Sequence, residues 1–158
     1  MAVPSSGDRT AVLRAFAQTT DREMLHSVMR MAESIPSSGD KASLLQTLAP
    51  SYLEPNIEAL RDAFFRTLST VPSSGDMRSV LTGSVMGYAA ANEKVALAVA
   101  SAAAAIPSSG DRLSALLGLV DVRAIRSARV RDAYLRATEG MGSGDATRAL
   151  RAVATDRY

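Results

Sequence analysis

The chain has no cysteine, no tryptophan and one histidine, and its aromatic residues amount to only 4%. Without cysteine there is no disulfide framework, no thiolate metal site and no cysteine nucleophile. The lone His26 cannot build a zinc triad, and no His-Glu-x-x-His occurs. It sits among Met24, Leu25 and Val28 and reads as a surface or part-buried helix residue. A Walker-type phosphate loop and a Gly-x-Ser-x-Gly elbow are both missing. These absences point away from an enzyme, and no cofactor or metal is expected. No apolar run approaches the ~20 residues of a membrane span. The nearest, Val95 to Ile106, is short and mostly alanine, so no membrane insertion is expected. No secretory leader is read at Met1, so an exported form would be a mature chain or an excised fragment.

What is present is a phrase said four times. It reads Val3-Pro4-Ser5-Ser6-Gly7-Asp8, Ile35-Pro36-Ser37-Ser38-Gly39-Asp40, Val71-Pro72-Ser73-Ser74-Gly75-Asp76 and Ile106-Pro107-Ser108-Ser109-Gly110-Asp111. A worn fifth copy is Gly140-Met141-Gly142-Ser143-Gly144-Asp145. The aspartates are spaced by 32, 36, 35 and 34 residues. A fixed period of that size marks a stacked repeat architecture.

The phrase is helix-start chemistry. Proline restricts the residue before it and is disfavoured inside helices, so a boundary falls there. The first serine and the aspartate three residues on have capping-box spacing, and the aspartate favours the positive end of the helix dipole. Helix-capping roles are therefore expected for Ser5 and Asp8, Ser37 and Asp40, Ser73 and Asp76, and Ser108 and Asp111, with Asp145 in the fifth copy. An apolar pair follows each aspartate: Val12-Leu13, Leu44-Leu45, Val80-Leu81, Ala115-Leu116 and Ala149-Leu150. Phe16, Leu48, Leu119 and Val153 continue the stripe at helical spacing. Breaks are expected at Thr19-Thr20-Asp21, Ala49-Pro50-Ser51, Ala90-Ala91-Asn92 and Val120-Asp121. A second helix then follows in each repeat, carrying Met24, Leu25, Val28 and Met29 in the first and Ile125, Ala128, Ala133 and Tyr134 in the fourth. Gly83 and Gly87, four apart, suggest close helix packing.

The expected fold is all-α: a right-handed alpha-solenoid of about four and a half hairpins, each about 35 residues long. The whole chain, 1–158, reads as one repeat domain. Its repeats span 3–34, 35–70, 71–105 and 106–139, with a half-repeat at 140–158.

Period and hairpin design resemble the HEAT and tetratricopeptide class of alpha-solenoids, although the tetratricopeptide Trp and Gly-Tyr positions are missing. The phrase apolar-x-Ser-Ser-Gly-Asp-Lys/Arg-x-x-x-Leu is more similar to bacterial repeats in the extracytoplasmic tails of membrane-anchored metallopeptidases related to beta-lactam sensors. The resemblance covers nearly the whole chain but not the peptidase, whose zinc-binding helix has no counterpart. It implies an extracellular or periplasmic place, with the cytoplasm left open.

Function is then expected to lie in protein–protein contacts. An aspartate ladder along the phrases is a poor cation site, because Arg9, Lys41 and Arg112 stand beside three of the carboxylates and calcium wants several oxygens. Arg123, Arg126, Arg129, Arg131 and Arg136 form a basic stretch, but Asp121, Asp132 and Glu139 interrupt it and only Tyr134 offers stacking. A solvated, ion-paired face is the reading, not a nucleic-acid site. Residues 1–111 carry a net charge of −2 and residues 112–158 a net charge of +4. No polar terminal caps of the kind solenoids use are evident. Both features point to self-association end to end, into an oligomer, filament or tube. Val12, Leu13, Leu150, Val153, Tyr158, Arg148 and Arg151 are the expected interface. The alternatives are a scaffold for an unidentified protein or a sensor tail of a larger protein.

Overall fold

The computed structural model describes residues 5–156, and every regular element among them is helical. The all-α expectation therefore holds. The chain divides into two compact units at Val80/Leu81.

The first unit holds α1 (Ser6–Phe16), α2 (Arg22–Glu33), α3 (Ser38–Leu53), α4 (Glu58–Leu68) and α5 (Ser74–Val80). α1 pairs with α2 and α3 with α4 as hairpins, while α3 packs on both α1 and α5, and α4 packs on α2. First helices thus stack on first helices, and second on second. The core is aliphatic, with Leu44, Leu45 and Leu68 fully buried, as the scarcity of aromatics dictates. Its few rings cluster: Tyr52 and Phe64 lie 6.4 Å apart by centroid. The Tyr52 hydroxyl donates to the Leu25 carbonyl at 2.7 Å, which ties α3 to α2 and satisfies a buried polar tip.

The expected break at Ala49-Pro50-Ser51 is not there: α3 runs through Pro50 to Leu53. Pro50 stands in the last turn and on the exposed side, where its carbonyl still accepts from the Glu54 N–H at 3.1 Å. The chain turns at Asn56 instead, whose φ of 55° is one that asparagine tolerates.

The second unit opens with a π-helical turn, Leu81–Val85, followed by α6 (Met86–Ala91), α7 (Glu93–Ala104), α8 (Ser109–Asp121), α9 (Ala128–Ala137) and α10 (Ser143–Thr155). α7 packs on α6, α8 and α9, and α8 packs on α10. α8 runs on through Val120-Asp121, and the chain turns at Arg123 (φ 53°). Ile125 is buried in this connection rather than in a helix. The Tyr134 hydroxyl donates to the Ala149 carbonyl at 2.9 Å, tying α9 to α10. Gly83 and Gly87 are exposed, and a Cβ on Gly87 would meet nothing within 4 Å, so that pair is no packing seam. The close approach is at Gly118, where a Cβ would come within 2.8 Å of Met86 Cε.

Candidate interaction surface

Each complete phrase starts a helix as its chemistry requires. The hydroxyls of Ser5, Ser37, Ser73 and Ser108 accept from the backbone N–H of Asp8, Asp40, Asp76 and Asp111 at 3.1 to 3.3 Å. In the fifth copy Gly142 is the N-cap of α10 and offers no side-chain bond. In the first phrase the capping box is reciprocal, and the Asp8 carboxylate accepts from the Ser5 N–H and hydroxyl. Those bonds hold the Asp8 carboxyl below the usual range.

In the third phrase the box is opened and a neighbour's serine is inserted. The Ser38 hydroxyl, from the second phrase, donates to Asp76 Oδ2 at 2.6 Å and accepts from the Ser73 N–H at 3.3 Å. The Ser109 hydroxyl likewise accepts from the Gly142 N–H at 2.9 Å. In the second and fourth phrases the second serine therefore serves the next phrase, whereas the Ser6 hydroxyl of the first makes no such bond among the described residues. Asp145 pairs with Arg148 at 3.3 Å within its own helix.

The basic residue after the aspartate also works between repeats. Lys41 is buried, and its ammonium donates to the Glu33 carbonyl at 3.0 Å and to the carbonyl and hydroxyl of Thr70 at 3.3 and 3.0 Å. It caps the chain leaving both α2 and α4. Burial pushes the Lys41 ammonium below its ordinary pKa, with Glu33 opposing. Arg112 does the same job in the second unit, bonding the Ile106 and Glu139 carbonyls.

Exposure follows position within the repeat. The residue four after the phrase aspartate is fully buried as Leu44, Val80, Ala115 and Ala149, yet Val12 is 52% exposed. Eight after, Leu48, Leu119 and Val153 are buried, yet Phe16 is 52% exposed. Five after, the pattern reverses: Leu13, Leu45, Leu81 and Leu116 are buried and Leu150 is 43% exposed. Two after and nine after, the first and last copies differ in the same sense as five after. Thr10 and Ala17 are buried in α1, while Thr147 and Ala154 are exposed in α10. The first helices thus carry two stripes, one at four and eight after the aspartate and one at two, five and nine after it. α1 bares the first stripe and α10 bares the second.

The second helix of the first repeat shows the same asymmetry. Met24 and Met31 are exposed, while Leu60 and Thr67, at the matching positions of α4, are buried against α2. Thr67 makes the direction plain, since its hydroxyl reaches back to the Met29 carbonyl at 3.5 Å. Between α1 and α2 lies an apolar groove of about 330 Å³, lined by Leu13, Phe16, Met24, Ser27, Val28 and Met31.

Of the expected interface residues, Val12, Leu150, Arg148 and Arg151 are at the surface. Leu13 and Val153 are not: both are buried, Leu13 at the floor of the α1/α2 groove. Tyr158 lies outside the described residues. Phe16 and Met24 were read only as stripe residues, Met31 was not singled out, and the exposure of all three was missed. Comparing the same repeat position across copies was the signal that could have found them.

The basic stretch stays at the surface, with Arg123, Arg126, Arg129 and Arg136 exposed and Arg126 donating to the Arg123 carbonyl. His26 is half-buried on α2. Among the described residues no three acidic or histidine side chains gather into a metal-sized cluster, and no helix is long and apolar enough to cross a membrane. Compared with family models, curated proteins and solved structures, the chain matches none.

Proposed function

We propose that this is a non-catalytic helical-repeat structural protein that acts through protein–protein contacts and self-assembles end to end. In this reading the hairpins continue as a right-handed alpha-solenoid of about four and a half repeats. The observation that carries it is one pair of exposures. Val12 and Leu150 occupy positions that are buried in the other copies of the repeat, and they belong to opposite packing stripes. A chain bearing both halves of a seam it already uses internally is suited to a heterologous contact, which propagates unless it closes into a ring. The net charges of the two sequence segments, −2 and +4, favour the same arrangement.

The test is particle size by light scattering at low and high salt, with negative-stain microscopy, for the wild-type chain and Leu150→Asp. Oligomers or filaments of the wild type that Leu150→Asp dissolves are expected. A wild-type chain that stays at 16.6 kDa across concentration would overturn self-assembly. It would leave the α1/α2 groove as a docking face for a different protein, as in an extracytoplasmic repeat tail.

A further inference from the structure

The α10 helix repeats the packing stripe of α1 residue for residue. Counted from the phrase aspartate, α1 carries Thr10, Leu13 and Ala17, and α10 carries Thr147, Leu150 and Ala154 at the same offsets. In α1 all three are buried, and α3 is the first helix packed there, with Leu44 and Leu48 fully covered. In α10 all three are exposed. The surface that would meet such a triplet is the stripe holding Leu44 and Leu48 in α3, and in α1 those two positions are Val12 and Phe16, both bare.

The polar groups carry the same register. First helices of consecutive repeats lie with their N-termini together, as the bonds from Ser38 to Asp76 and from the Gly142 N–H to Ser109 require. Ser143 holds the position of Ser38 and Ser109 in its own phrase, and its hydroxyl makes no hydrogen bond among the described residues. Asp8 holds the position of Asp76, is fully exposed, and among the described residues is paired within its own phrase alone.

We infer that the α1 face of one copy seats α10 of a second copy, parallel and in the register of the α1–α3 seam. Thr147, Leu150 and Ala154 then lie against Val12 and Phe16, with Ser143 above Asp8. This rests on the self-assembly reading and adds to it a polarity and a residue register. The occupant is a second copy because the stripe that fits the bare α1 face is present, and unused, on the chain itself. The contact is heterologous: Val12 meets Leu150 of the next molecule and never another Val12.

The absence of native cysteine makes the test clean. Val12→Cys and Leu150→Cys are made separately, both at exposed positions that leave the core intact. Each is treated with a short bismaleimide alone and as an equimolar mixture, with light scattering on the same samples. A covalent dimer in the mixture, and none in either variant alone, is expected. Oligomers that cross-link through Val12→Cys alone would show an isologous contact and overturn the register while leaving self-assembly standing. Oligomers that cross-link in no sample would place the contact elsewhere, with the same consequence. Monomers throughout would overturn both.

Discussion

The hydroxyl of Ser38 donates to the carboxylate of Asp76 at 2.6 Å, across one full repeat of sequence. It is a short, charge-assisted bond, and the same oxygen accepts the Ser73 N–H. One side chain thereby completes the N-cap of α5 from outside. Ser38→Ala and Asp76→Ala should each cost about 1–2 kcal/mol in urea unfolding, and the double variant less than their sum, because the two belong to one network. Ser6→Ala is the control: its hydroxyl makes no bond among the described residues, and its cost should stay within about 0.5 kcal/mol. Equal costs for Ser6→Ala and Ser38→Ala would remove the inter-repeat role of the second serine.

Leu150 and Val153 lie on the same helix and answer differently to aspartate. Val153 is buried, so Val153→Asp forces a carboxylate into an apolar seam and should cost about 4 kcal/mol. At a dilution where both chains are monomeric, Leu150→Asp should change unfolding stability by no more than about 1 kcal/mol, since in the single chain the side chain meets solvent. Circular dichroism melts of the two variants check this, and a large loss for Leu150→Asp would place it in the core.

Alkaline pH should unfold the protein through its buried tyrosines. Burial, together with the Asp121 and Asp156 carboxylates, pushes the Tyr134 hydroxyl up to about 12, and burial pushes Tyr52 further still. A folded pKa raised above the unfolded value of about 10 means that the folded state holds its proton longer. The stabilisation is therefore complete below pH 10 and is lost as pH rises through 12. Tyrosinate absorbance from these two residues should appear together with loss of helical signal. Its smooth appearance from pH 10 in an intact fold would show that the rings are open to solvent.

Gly87 lies within α6 with open space where a Cβ would go. Gly87→Ala should therefore stabilise the fold by about 0.5–1 kcal/mol through the lower entropy cost of alanine in a helix. A destabilised variant would restore the close-packing role that the spacing of Gly83 and Gly87 suggests.

Lys41 is tested by Lys41→Met, which keeps the stem and removes the ammonium. It leaves the Glu33 and Thr70 carbonyls without that donor and should cost about 1–3 kcal/mol. Lys41→Arg should recover part of the loss, since Arg112 fills the equivalent role with a guanidinium. No difference between the two variants would make Lys41 a space-filling stem.

Much of the helix plan was legible because it rests on local chemistry. A serine three residues before an aspartate, a proline just upstream and an apolar pair just downstream start a helix wherever they occur, and they do so at Ser5, Ser37, Ser73 and Ser108. Helix ends were less legible. Pro50 reads as a break, yet α3 passes through it, because a proline in a last turn on the exposed side costs little that its neighbours do not restore. Asn56 and Arg123 mark the actual turns through backbone conformations that a sequence pattern does not signal.

By itself the sequence determined the helical class, the period, the caps and the aliphatic character of the core, since each depends on neighbours within a few positions along the chain. Only the tertiary structure decided which stripe of α1 and of α10 is covered and which is bare. That distinction separates buried Leu13 from exposed Val12 and buried Val153 from exposed Leu150. Adjacent apolar residues are alike in composition and differ only in direction by about 100° around the helix axis. What lies in each direction is set by chain roughly 30 residues away. The same holds for Ser38 and Lys41, whose partners stand in the next repeat and become neighbours only when the hairpins stack.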